Sequence, residues 1–148
     1  MTLIGENMFI YFSDSMQVSC DRGKGLLVLT CLKRLRADEF KEGMVRALWY
    51  AEKYNIKRWL FDIKLIGALN EEEEAWLQNC LYPKMMSSLG ADNYIAFLLS
   101  ESCYKQLLFE AGETGLKTYN SFIILSMFDT TAKALEWLAM DSVATANI

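Results

Sequence analysis

Glu71-Glu72-Glu73-Glu74, four consecutive carboxylates, is the densest set of potentially reactive side chains in the sequence. Paired carboxylates divide acid and base work only when their surroundings pull their pKa values apart, and adjacent exposed acids have little reason to differ. A solvated helix start is the reading these four favour. The chain has no histidine, which removes Ser-His and Cys-His nucleophilic centres and leaves only lysine-, aspartate- or tyrosine-based chemistry. Cys20, Cys31, Cys80 and Cys103 are widely spaced and mostly lie inside apolar runs, where a reduced thiol behaves as a small hydrophobe. Without CxxC or Cys/His pairs they do not suggest zinc. No GxGxxG or Walker segment is present to hold phosphates. The expectation is a protein that is not an enzyme, with no catalytic residue, no cofactor and no metal.

The charge pattern narrows the partners. Net charge is −4, and the fifteen Lys and Arg residues are scattered, with Lys33-Arg34-Leu35-Arg36 as the one dense basic stretch. Nucleic acid is therefore not an expected partner, since phosphate binding calls for a basic stripe. An apolar fraction of 53% with 23% charged residues is that of a globular chain able to fold on burial alone. The apolar runs are strand-sized, well short of the roughly 20 residues of a membrane-spanning helix. Met1-Thr2-Leu3-Ile4-Gly5-Glu6-Asn7 lacks the basic start and apolar core of a secretory signal, so a cytoplasmic location is expected.

The elements that must position any site follow from periodicity. Met8–Phe12, Met16–Asp21 and Leu26–Cys31 are β-rich runs separated by Ser13-Asp14-Ser15 and Gly23-Lys24-Gly25, which predicts a three-strand meander. From Ala37 the period changes: Phe40, Met44, Val45, Leu48 and Ala51 mark one face of a helix ending near Asn55. Trp59–Ile63 reads as a strand. Asn70 and Glu73 then fit a capping box for a helix whose apolar side holds Trp76, Leu77, Cys80, Leu81 and Met85, with Pro83 expected to kink it and Gly90 to close it. Tyr94–Leu99 is the next strand, and Ser100 caps a helix bearing Tyr104, Leu107, Leu108 and Ala111. Phe122–Phe128 reads as a buried strand, Asp129 as the cap of a last helix with Leu135 and Leu138 facing the core, and 141–148 as a flexible C-terminal tail. No linker divides residues 1–148, so one domain is expected. The series predicts an α/β fold: a mixed central sheet of about six strands with about four helices packed on it.

Phe128-Asp129 followed by Ala134-Leu135-Glu136-Trp137-Leu138 resembles the closing signature of the SpoIIAA-like family, bacterial proteins of STAS-like (anti-sigma-factor-antagonist-like) fold. Leu60-Phe61-Asp62, then Trp76 and Pro83, is similar to the family's middle portion, and Asp38-Glu39-Phe40 to the start of its first long helix. The resemblance spans nearly the whole chain and implies the fold, action through an unknown protein partner or a second copy of the chain as a homodimer, and no cofactor. Members that act as phosphorylation switches carry an Asp-Ser motif at the central strand end. Asp62-Ile63-Lys64-Leu65-Ile66-Gly67-Ala68-Leu69 has no Ser or Thr there, which argues against a serine phosphoswitch. The family resemblance also allows a carrier of a small apolar ligand or lipid, held between the sheet and the helices of Trp49 and Trp76. Ligands of open α/β sheets bind near the carboxyl ends of parallel strands. The residues singled out as a ligand or partner surface are accordingly Trp49, Asp62, Lys64, Trp76 and Ser100.

Overall fold

A computed structural model of the chain describes residues 3–4, 7–112, 117–120 and 122–146. The strands are β1 (Leu3–Ile4), β2 (Asn7–Phe12), β3 (Met16–Asp21), β4 (Leu26–Cys31), β5 (Arg58–Asp62), β6 (Asn93–Leu98), β7 (Lys117–Tyr119) and β8 (Ile123–Phe128). They form one mixed sheet in the order β1-β2-β3-β4-β5-β6-β8-β7. The six longer strands are those the sequence predicts; β1 and β7 are short additions at the two edges. β1 to β4 pair antiparallel, β4-β5-β6-β8 pair parallel, and β7 runs antiparallel to β8.

The helices are α1 (Ala37–Tyr54), α2 (Glu71–Trp76), α3 (Tyr82–Leu89), α4 (Glu101–Ala111) and α5 (Thr131–Ala146), with a π-helical turn, Leu77–Leu81, joining α2 to α3. α2, the π turn and α3 make one continuous helical rod, which brings the helical units to the four expected. Each parallel crossover steps the same way along the sheet. Right-handed crossovers in one direction place their helices on one face. Leu27, Leu29, Trp59, Phe61, Ile95 and Phe97 point to that face and pack with Phe40, Met44, Leu77, Leu81 and Met85 of the helices. On the opposite face Leu26, Leu60, Ala96 and Leu98 meet Ala134 and Leu138 of α5. Arg58 Nε donates to the Leu138 carbonyl at 3.1 Å and ties α5 to β5.

Local chemistry sets the boundaries. α1 ends where Asn55 turns left-handed (φ 53°) and its N–H reaches the Ala51 carbonyl. Its first turn is pinned to the β2–β3 turn: the Ser15 N–H and Oγ donate to Glu39 Oε1 at 2.9 and 2.6 Å. Those bonds, the side-chain one foremost, hold the Glu39 carboxyl below its ordinary pKa. A bulge between Phe9 and Tyr11 shifts the β2 register. It leaves Phe9 and Phe12 opposite Ser19 and Gln17, on the face away from α1, where Phe12 is 69% exposed.

Three expectations change. Asp129 is not the cap of α5: the helix begins one residue later, and Thr130 Oγ1 accepts from the Lys133 N–H at 3.3 Å. Asp129 instead lies 3.6 Å from Lys133 Nζ. The tail expected from Asp141 starts as helix, because α5 continues to Ala146, and 147–148 lie outside the described residues. The run Phe122–Phe128 is only half-buried; within β8, Ile123 and Ser126 are the buried positions. Pro83 produces a π turn. It has no N–H, and its ring would press on the Asn79 carbonyl in an α-turn, whereas here the Tyr82 N–H bonds back five residues to the Leu77 carbonyl.

Phe40 is the hub of the helix-covered face, 1% exposed, 6.2 Å from the Phe61 ring and 5.5 Å edge-on to Trp76. Phe40→Ala is expected to cost about 3–5 kcal/mol, read as a lower urea midpoint with an unchanged m value. A loss below 1 kcal/mol would remove Phe40 from that role.

Candidate functional site

The helices on the crowded face lie side by side, and each seam between them holds a depression. The larger is a cavity of about 410 Å³ between the α2–α3 rod and α4. Its floor is the carboxyl-terminal half of the sheet: Phe97 and Leu99 at the end of β6, and Leu125 and Met127 on β8. Leu77 and Leu107 project from the two helical walls, and Ala68 and Leu69 of the β5–α2 loop line it as well. The half-burial of β8 has its cause here, since Leu125 and Met127 face the cavity and not a packed helix.

The roof is loosely held. α4 contains no buried residue: Cys103, Tyr104, Leu107 and Leu108 are half-buried, and Phe109 is 91% exposed. An element with so little buried apolar surface has little packing energy to hold it down. Its start is better fixed. Ser100 Oγ accepts from the Cys103 N–H at 3.2 Å, and the Ser100 N–H donates to the Gly67 carbonyl at 3.1 Å. Gly67 has φ +91°, and a Cβ there would stand 2.9 Å from Cys103 Sγ. Only glycine lets the β5–α2 loop tuck under α4 at this point.

The opposite wall is set by the capping box, in which Glu73 N–H donates to Asn70 Oδ1 and Asn70 N–H to Glu73 Oε1, both at 2.8 Å. That geometry turns Glu73 inward, to 8% exposure, and presents Glu74 to the cavity mouth. Partial burial raises the Glu74 carboxyl above its ordinary pKa, and the charges of Glu71 and Glu73 push the same way. The four acids are thus not equivalent, contrary to the expectation of a uniformly solvated run. Tyr82, past the π turn, lines the same wall, and burial followed by the charge of Glu74 raises its hydroxyl well above the ordinary range. It stays a protonated phenol at physiological pH. Gln78, Gln106 and Glu110 complete the polar part of the lining.

The second depression, about 250 Å³, is a groove between α1 and the α2–α3 rod, lined by Trp49, Trp76, Leu48, Cys80 and Lys84. Trp49 and Trp76 do come together, but on the outer side of the helix layer. They do not enclose space between helices and sheet, because the α1 stripe of Phe40, Met44, Ala47 and Leu48 fills that space and leaves Trp49 61% exposed. Asp62 and Lys64 sit at the β5 end, where the Lys64 N–H donates to Asp62 Oδ1 at 3.1 Å, and Ser100 caps α4. These three lie on the strand ends near the cavity without lining it. Sequence reasoning missed Glu74, Tyr82, Gln106 and Glu110 as a set. The signal available was the helical spacing of Glu74 with Gln78 and of Gln106 with Glu110.

All four cysteines are free. Burial foremost, with the charges of Glu73 and Asp62, pushes the Cys31 thiol up to about 12, so it stays protonated. Among the described residues no helix is long and apolar enough to cross a membrane. Comparison with known proteins gave no matching family model, no matching curated protein and no matching solved structure.

The raised Glu74 carboxyl has a direct consequence for stability. A carboxyl whose folded pKa exceeds its unfolded value favours the fold only while protonated, and that contribution is lost as pH rises through the raised value. Glu74→Gln is therefore expected to raise the melting temperature at neutral pH, by about 1 °C once solvent screening is allowed for. The gain should vanish below about pH 3, where Glu74 is protonated in both states. A lower melting temperature at neutral pH would show that the favourable helix-start charge outweighs the desolvation.

Proposed function

We propose that this chain is a non-enzymatic binding module that holds a small apolar molecule in the cavity between the α2–α3 rod and α4. The observation that carries the reading is the open apolar floor of Phe97, Leu99, Leu125 and Met127 beneath a helix that buries none of its own residues. Ligand sites are typically apolar concavities of roughly 300–1,000 Å³ with a few placed polar groups. This cavity has that size and composition. We read the chain further as a cytoplasmic, bacterial SpoIIAA-like domain of STAS-like fold, supported by the unidirectional β4-β5-β6-β8 order and by the residues that resemble the family.

Octanol is a suitable neutral probe. At about 0.8 kcal/mol per buried methylene, less about 4 kcal/mol for association, weak binding with a dissociation constant of about 10 mM is expected, enough to shift resonances at millimolar octanol. In an amide-resolved NMR titration, the shifts should concentrate at Leu77, Phe97, Leu99, Leu107 and Met127 and spare Trp49 and Lys84. Leu107→Trp, which fills the cavity from its roof, should abolish them. Shifts centred on the Trp49 groove, or none at millimolar octanol, would overturn the reading.

A second reading is self-association through the outer sheet face, favoured by Phe9 and Phe12 standing exposed on the same face of one bulged strand. The occupant is a second copy of this chain, forming a homodimer. Light scattering should then give a dimer mass that Phe12→Glu converts to monomer. A monomer across the whole accessible concentration range would exclude it.

A further inference from the structure

We infer that the cavity selects a cationic amphiphile, an apolar chain or ring ending in an ammonium group, whose head is held between two facing carboxylate–amide pairs. The inference rests on the cavity being a ligand site. Glu74 and Gln78 stand four residues apart on the rod wall, and Gln106 and Glu110 stand four apart on the facing wall of α4. Gln106 Nε2 donates to Glu110 Oε1 at 3.1 Å, which leaves the amide oxygen and the second carboxylate oxygen free to accept. Across the seam, each helix thus offers one carboxylate and one amide to the same mouth.

None of the described residues lining the cavity is Lys or Arg. Lysines on the bounding elements are engaged or directed elsewhere. Lys105 Nζ sits 2.8 Å from Glu101 on its own helix, Lys84 lines the Trp49 groove, and Lys64 is an exposed loop residue outside the lining. A fatty-acid carboxylate at this mouth would meet two like charges and no counterion. An ammonium brings three donors to a ring of acceptors, and charge-assisted bonds of that kind are the stronger class. Apolar contact with Leu125 and Met127 supplies affinity, while the two glutamates decide which head group is admitted.

Calorimetric titration of the full chain with octylamine, octanol and octanoate at neutral pH and low salt separates the possibilities. Octylamine should bind about tenfold more tightly than octanol, with octanoate weakest. Its advantage should shrink as salt is added. The double variant Glu74→Gln, Glu110→Gln should bind octylamine no more tightly than octanol. Octanoate binding as tightly as octylamine, or a double variant that still prefers the amine, would overturn the inference. Equal binding of all three probes would sink the head-group selection and leave the cavity reading standing, whereas no binding of any would sink both.

Discussion

The constraint on which everything else depends is the handedness of the crossovers. Three consecutive right-handed β-α-β steps in one direction leave no choice of face: α1, the α2–α3 rod and α4 must lie abreast on the same side of β4-β5-β6-β8. Three cylinders on a twisted sheet meet along two seams. Phe40, Met44 and Leu81 close the sheet-facing side of the first seam, leaving only a groove beneath Trp49 and Trp76. In the second, α4 turns Phe109 to solvent and leaves Tyr104 and Leu107 only half-buried, and the cavity is what remains. With no reversal of strand order among the parallel strands, there is no crevice of the doubly wound kind. The site is a gap between helices.

Placing acids around such a gap works against the fold. Glu74 carries a raised pKa because burial and its acidic neighbours both oppose its charge, and α4 gives up the apolar burial that would anchor it. Proteins depart from local consistency chiefly where function requires it. Elsewhere the rules are kept: Asn70 and Glu73 satisfy each other, Ser100 and Thr130 cap their helices, and Glu39 locks α1 to the β2–β3 turn. The departures gather around one cavity.

Most of the fold was legible because its elements obey short periods. Met16–Asp21 and Leu26–Cys31 match the predicted strands residue for residue, and the stripe of Phe40, Met44, Leu48 and Ala51 is the buried face of α1. β1 and β7 are two and three residues long, too short to carry a period. The cap of α5 was misplaced by one position because Asp129 and Thr130 are both cap formers, and backbone geometry alone chooses between them. The site was less legible. Trp49 and Trp76 drew attention by size, yet Trp49 lies off the buried stripe. The two glutamate–glutamine pairs are visible as spacings within single helices, but their facing one another is a property of the second seam, which depends on strand order.

The π turn carries one consequence beyond its accommodation of Pro83. A wide turn holds one residue more than the α-turn it replaces, so the helix before it is turned by about 100° relative to an uninterrupted rod. With that offset Leu77 and Met85, both buried, fall within about 20° of one another around the rod instead of about 80° apart, and Glu74, Gln78 and Tyr82 line one wall of the cavity. Chain length at Leu77–Leu81 therefore acts as a phase setting. One residue fewer would leave the composition of the rod almost untouched and swing its acidic edge out of the mouth, so the electrostatic character of the site is encoded in a count of residues as much as in their kind.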